Sequence, residues 1–103
     1  MPDGWSALAD DTRRAIVSRL ADGPLAVGRL ADGLPVTRSA VSQHLKILKT
    51  ARLVTDRAQG TRRLYAVDTR GLEELRRWVD GFWDVALASF KEEAEREAAR
   101  ERK

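Results

Sequence analysis

Residues 35 to 53, Pro-Val-Thr-Arg-Ser-Ala-Val-Ser-Gln-His-Leu-Lys-Ile-Leu-Lys-Thr-Ala-Arg-Leu, constrain the fold more than any other stretch of this chain. Pro35 disfavours helical geometry at Leu34, and Thr37 can cap the unpaired N–H groups of a turn that begins with Arg38, so a helix starts there. Val41, Leu45 and Leu48, with Ala40 and Ile47 beside them, recur at helical spacing on one side, while Arg38, Ser39, Ser42, Gln43, Lys46 and Lys49 fall on the other. One face is suited to packing. The other presents polar and basic groups of the kind that enter a DNA groove.

The segments before it are short and helical. Trp5 to Leu20 carries Leu8, Ile16, Val17 and Leu20 around an acidic break at Asp10-Asp11, which predicts either two short helices or one bent helix, the second part beginning near Thr12. Gly23-Pro24 ends that segment, and Leu25 to Ala31 reads as a further short helix closing near Asp32-Gly33. Two short helices joined through the tight link at Pro35 form a helix-turn-helix pattern.

Beyond Arg52 the period changes. Leu53-Val-Thr-Asp-Arg and Arg63-Leu-Tyr-Ala-Val are β-prone runs separated by Ala58-Gln-Gly-Thr-Arg, which predicts a hairpin with Gly60 in its turn. Its tip holds Arg57, Gln59, Thr61, Arg62 and Arg63, a composition suited to phosphates or to a minor groove. Charge distribution supports this. The whole chain is only +3, but residues 37 to 63 hold seven bases against the single acid Asp56, net +6, so the remainder is net −3 and a polyanion would be drawn to one side.

From Thr69 onward there is no Pro, and Leu72, Leu75, Val79, Phe82, Trp83, Ala86 and Phe90 share one broad face of a long helix, widened by Trp78 and Leu87. That is more apolar surface than a thin hairpin and short helices can cover, so self-association is expected, with Trp5 and Leu8 joining that face. Gly81 is a weak point of about 1 kcal/mol relative to Ala, read as a bend or a close backbone approach. From Lys91 acidic and basic residues balance, which predicts a charged tail, helical or frayed, with no assigned function. The reading is therefore one domain over residues 1–103, mainly α with a β-hairpin wing: a winged helix-turn-helix core over about residues 5 to 90, paired as a homodimer through its terminal helices.

Composition excludes several chemistries. With no Cys there is no disulfide, thiolate metal site or cysteine nucleophile. With His44 as the sole His, no phosphate-binding glycine loop and no Gly-x-Ser-x-Gly turn, there is no pairing of nucleophile and base, and an enzyme is not expected. No apolar run approaches the roughly 18 to 20 residues that span a bilayer. The start Met1-Pro-Asp-Gly lacks the features of a signal peptide, so a cytoplasmic protein is expected.

The sequence resembles the ArsR family of bacterial transcriptional repressors. The resemblance covers nearly all of residues 5 to 90 and rests on Ala7-Leu-Ala-Asp-Asp-Thr-Arg-Arg-Ala-Ile, on Arg38-Ser-Ala-Val-Ser-Gln-His-Leu-Lys-Ile-Leu, on Gly60 and on Arg63-Leu-Tyr, with Asp11 standing where most relatives carry Pro. Metal sensing, for which the family is known, is not implied here. Where relatives place a Cys-x-Cys pair this chain has Leu25-Ala-Val-Gly-Arg-Leu, and residues 69 to 103, where other relatives use His with acidic ligands, contain no His. His44 is read as a packing or hydrogen-bonding residue, and no cofactor or metal effector is expected. The pattern Gly71-Leu-Glu-Glu-Leu-Arg-Arg-Trp is similar to that of a subset without metal ligands, which implies autoregulation and names no inducer.

The expected partner is double-stranded DNA carrying an inverted repeat. Gln43 would pair with adenine and Arg38 with guanine or a phosphate, Ser39 and Ser42 would add shorter contacts, and Thr37, Lys46 and Lys49 would fix the backbone register, with Arg57, Arg62 or Arg63 placing the wing. The sequence is also compatible with two alternatives: a winged helix that binds protein, and one that bends DNA without choosing a sequence. The aromatic residues Trp5, Trp78, Phe82, Trp83 and Phe90 fit core and interface packing, or the lining of a pocket for an apolar effector.

Overall fold

The computed structural model describes residues 3–102. Five helices and a three-stranded sheet follow one another as α1 (Asp3–Ala7), α2 (Asp11–Leu20), β1 (Leu25–Ala26), α3 (Val27–Asp32), α4 (Arg38–Thr50), β2 (Val54–Gln59), β3 (Arg62–Val67) and α5 (Thr69–Glu101). The acidic break separates two helices rather than bending one. Asp10 caps α2 by accepting the Arg13 amide at 3.0 Å, so the helix starts at Asp11, one residue earlier than expected.

Leu25–Ala26 departs from the helical expectation. These two residues form a strand that pairs antiparallel with β3, Leu25 opposite Tyr65 and Ala26 opposite Leu64, and α3 begins only at Val27. The cause is long-range: β3 already pairs with β2 on its other side and has a free edge whose backbone groups β1 satisfies. The hairpin β2–β3 runs in register from Val54 opposite Val67 to Gln59 opposite Arg62. Gly60, at φ 62°, takes the first position of its two-residue turn with Thr61, the position a type II′ turn reserves for glycine.

Ile16, Leu20, Leu30, Val41, Leu45, Leu48, Leu53 and Val54 are almost fully buried and bind α2, α3, α4 and the wing's base into one core. A second joint ties α4 to α5. After Thr50 the chain turns through Arg52 at φ 61°, with Leu53 N–H bonded to the Leu48 carbonyl (3.0 Å) and Arg52 N–H to that of Lys49 (3.0 Å), the double bond of a Schellman end. The carbonyls of Arg52 and Leu53 then accept the amides of Gly71 and Asp68, each at 2.9 Å, fixing where α5 starts.

α5 is 33 residues long, about 50 Å at 1.5 Å per residue, and accounts for the molecule's 74 Å long axis. It is helical through the charged tail, where Arg96–Glu93 and Arg100–Glu97 pair at i,i+3 spacing. Gly81 makes no close approach: a Cβ there would meet nothing within 4 Å. Leu75, expected at a dimer interface, belongs instead to this chain's own core at 6% exposure, because its methyls pack on the bare backbone of Gly4 in α1. Leu8 and Leu72 are half-buried against the same core.

Candidate nucleic-acid interface

α4 holds its polar face by its starting cap and its buried face. Thr37 Oγ1 accepts the Ala40 amide at 3.1 Å, and Val41, Leu45 and Leu48 seat the helix in the core. Arg38, Ser39, Ser42, Gln43, Lys46 and Lys49 are all exposed. Ile47 is not part of the packing side; at 45% exposure it lies in a shallow groove of about 380 Å³ between α4 and α1, with Lys46 and Thr50 on its rim. His44 faces inward. Arg13 Nη1 donates to its Nδ1 at 3.3 Å while Arg13 Nε donates to the Ala7 carbonyl at 2.6 Å, so one arginine joins α1, α2 and α4. A guanidinium only donates, which makes Nδ1 the acceptor of this imidazole.

The pleat of the wing divides its basic residues. Arg57, Gln59 and Arg62 alternate to one face, and Asp56, Ala58, Arg63 and Tyr65 to the face shared with Val54, which is buried against the core. Thr61 stands in the turn and is exposed, as are Arg57, Gln59, Arg62 and Arg63. The expected wing residues thus form one tip but point two ways.

Arg38 meets the wing across a groove of about 400 Å³ lined by Gly28, Arg29, Asp32, Arg38, Arg62 and Arg63. Its guanidinium lies over Gly28, where a Cβ would come within 3.1 Å of Nη2. Arg29 is an addition that the sequence did not single out. Counting charge from Thr37 onward leaves it outside the window, and only the folding of α3 under the wing brings it in.

Asp56 is the second addition. Its carboxylate pairs with Lys49 Nζ at 2.7 Å and Arg63 Nη1 at 3.0 Å, and its side chain is only 9% exposed. The hydrogen bond from Lys49, followed by that from Arg63, holds the Asp56 carboxyl below its ordinary range. At the start of α5, Arg70 does the same to Asp68, first through its side chain and then through its backbone amide.

Beyond Leu75 the apolar stripe of α5 runs past the core and is bare. Phe82, Trp83 and Phe90 are 58%, 59% and 73% exposed, with Trp78, Val79, Val85 and Leu87 also open and Ala86 half-buried. Trp78 stacks on Phe82 at 5.4 Å between ring centroids and meets Trp5 of α1 edge-on at 5.7 Å. Among the described residues no helix is long and apolar enough to cross a membrane, and no group of three His, Cys, Asp or Glu side chains is gathered as a metal cage.

A capped helix with an exposed polar face, preceded by a short helix and followed by a basic hairpin, defines a winged helix-turn-helix protein of the DNA-binding class. Residues 10–56 match the family of bacterial regulatory proteins described as arsR. The chain is 66% identical over 90 residues to the HTH-type transcriptional regulator Rv2034 of Mycobacterium tuberculosis, covering 86% of this chain and 84% of that one. It is 30% identical to the transcriptional repressor SdpR of Bacillus subtilis, covering 80% of this chain and 91% of the relative. Its fold is similar to the homodimeric winged helix-turn-helix DNA-binding domain Mb0332 from Mycobacterium bovis, with a TM-score of 0.65 at 30% identity over 82% of this chain and 79% of that one. The chain belongs to the ArsR family and is a transcriptional regulator.

Proposed function

We propose that this regulator is a repressor that binds an inverted-repeat operator as a homodimer, with α4 in the major groove and the wing on the flanking minor groove. The observation that carries this is the run of exposed aromatic and aliphatic side chains from Trp78 to Phe90, on a helix whose first turns are fixed to the DNA-reading core through Gly4 and Arg52. Apolar burial contributes about 25 cal/mol per Å², and rings of this size left in water favour a second copy that covers them. A two-fold pairing along α5 presents two α4 helices to one duplex, and the homodimeric state described for Mb0332 supports it.

Within each half, Gln43 and Arg38 read bases, Ser39 and Ser42 add shorter contacts, and Thr37, Lys46 and Lys49 engage phosphates. Arg57, Gln59, Thr61, Arg62 and Arg63 place the wing. No catalytic chemistry is assigned, and with DNA as partner the protein acts in the cytoplasm, on its own promoter among others. Light scattering with footprinting of duplexes selected from a random pool tests this. Two chains protecting two symmetric half-sites is the expected result, and a monomer protecting no defined sequence would refute it.

A further inference from the structure

Asp56 is the only acid within the basic stretch of residues 37 to 63, and it lies between two of that stretch's cations, Lys49 and Arg63. In the hairpin it stands opposite Tyr65, so Arg63 is its diagonal neighbour on the same face, the face turned toward α4. Its carboxylate therefore receives a cation from each DNA-facing element: Lys49 from the helix and Arg63 from the wing. Burial is one-sided. Both cations keep side chains 54% exposed while the carboxylate between them is 9% exposed, so solvent and ligands reach the cations and not the acid.

We propose that Asp56 is a specificity-determining positioning residue: it pins the wing to the recognition helix through Arg63 and Lys49 and withholds part of both charges from phosphates that carry no sequence information. The inference rests on the reading that α4 and the wing contact DNA. A phosphate and a carboxylate offer a cation the same anionic oxygens, so a lysine already neutralised at 2.7 Å releases fewer DNA counterions than a free one. Non-specific affinity is built from such releases and falls when two of them are discounted. Specific binding needs helix and wing in two grooves at once, and a link formed in the free protein means that their relative placement is not ordered anew on the DNA.

The test is a salt titration of affinity on two 30-bp duplexes, one selected by the wild-type protein from a random pool and one of scrambled sequence. Asp56→Asn removes the charge and keeps the shape. It should bind the scrambled duplex several-fold more tightly, steepen the salt slope by about 1 to 2, and reduce the ratio of selected to scrambled affinity at least tenfold. An unchanged slope and ratio overturns the proposal, as does equal weakening on both duplexes. A second comparison does not depend on how well that variant folds. Lys46→Gln, at a cation with no carboxylate partner among the described residues, should lower the slope by about 0.9, and Lys49→Gln by less than half of that. Equal losses contradict the proposal. Wild-type protein that binds neither duplex would sink the DNA reading and this inference with it, whereas intact wild-type selectivity beside an unaltered Asp56→Asn variant overturns this inference alone.

Discussion

The Gly71 amide donates a 2.9 Å hydrogen bond to the carbonyl of Arg52, and a Cβ at Gly71 would stand 2.3 Å from that same oxygen. The end of α4 and the start of α5 therefore touch backbone to backbone, which only glycine permits. Through this joint the orientation of α4 is referred to α5, and so to any partner that α5 acquires.

Gly71→Ala should destabilise the fold by about 1–3 kcal/mol, the cost of forced overpacking, because the neighbouring atoms are backbone and cannot rotate away. Arg52→Gly, which relieves a side chain held at φ 61°, should stabilise it by up to about 1 kcal/mol after the greater freedom of the unfolded glycine is deducted. Urea denaturation of the two variants checks both signs. A neutral Gly71→Ala would mean that the two helices are not locked here.

Trp83→Glu leaves the single chain's core intact, since the ring is 59% exposed, and should turn the proposed dimer into a monomer. Loss of about 1.5–3 kcal/mol per ring, with one ring removed from each protomer, corresponds to roughly 100- to 10,000-fold in dissociation constant. Sedimentation equilibrium reads this directly, and circular dichroism should show the helix content retained.

Gln43→Ala should relax sequence preference at one position in each half-site, at about 1–3 kcal/mol for a good bidentate contact to adenine. Selection from a random pool measures it. Uniform weakening across all sequences would assign Gln43 to the backbone instead.

Acid should destabilise the protein in a defined direction. Asp56 and Asp68 have folded-state pKa values below their ordinary value of 3.8, so the unfolded chain binds more protons near that pH and stability rises with pH there. Their contribution is fully present above the ordinary carboxylate value and is lost as pH falls through the lowered ones. Asp68→Asn keeps an acceptor at the start of α5 and should flatten the acid limb of a stability-against-pH curve. A limb of unchanged steepness would show that the Arg70 pairing has no part in it.

Much of this architecture is legible in local sequence because it is locally caused. Thr37 caps α4, Asp10 caps α2, and the turn glycine Gly60 and the spacing of Val41, Leu45 and Leu48 each act within a few residues. What local pattern could not reveal depends on partners distant in the chain. Leu25–Ala26 is a strand because β3 has an open edge forty residues on, a spacing of Leu25 from Tyr65 in the ladder. Leu75 shares a helical stripe with Val79 and Phe82 but is buried, because Gly4 offers it a cleft without a side chain. Asp56 enters a charge count as a lone acid, and only the hairpin register shows that it lies between Lys49 and Arg63.

Two copies joined along α5 should read two half-sites in fixed register. Inserting five base pairs between the half-sites of a selected operator and measuring affinity by mobility shift breaks that register. Half a helical turn places the second half-site on the opposite side of the duplex, about 17 Å farther along it. Affinity should fall at least 100-fold, approaching that for scrambled DNA. Affinity unchanged by the insertion would mean that each chain binds its half-site independently, and would contradict this pairing.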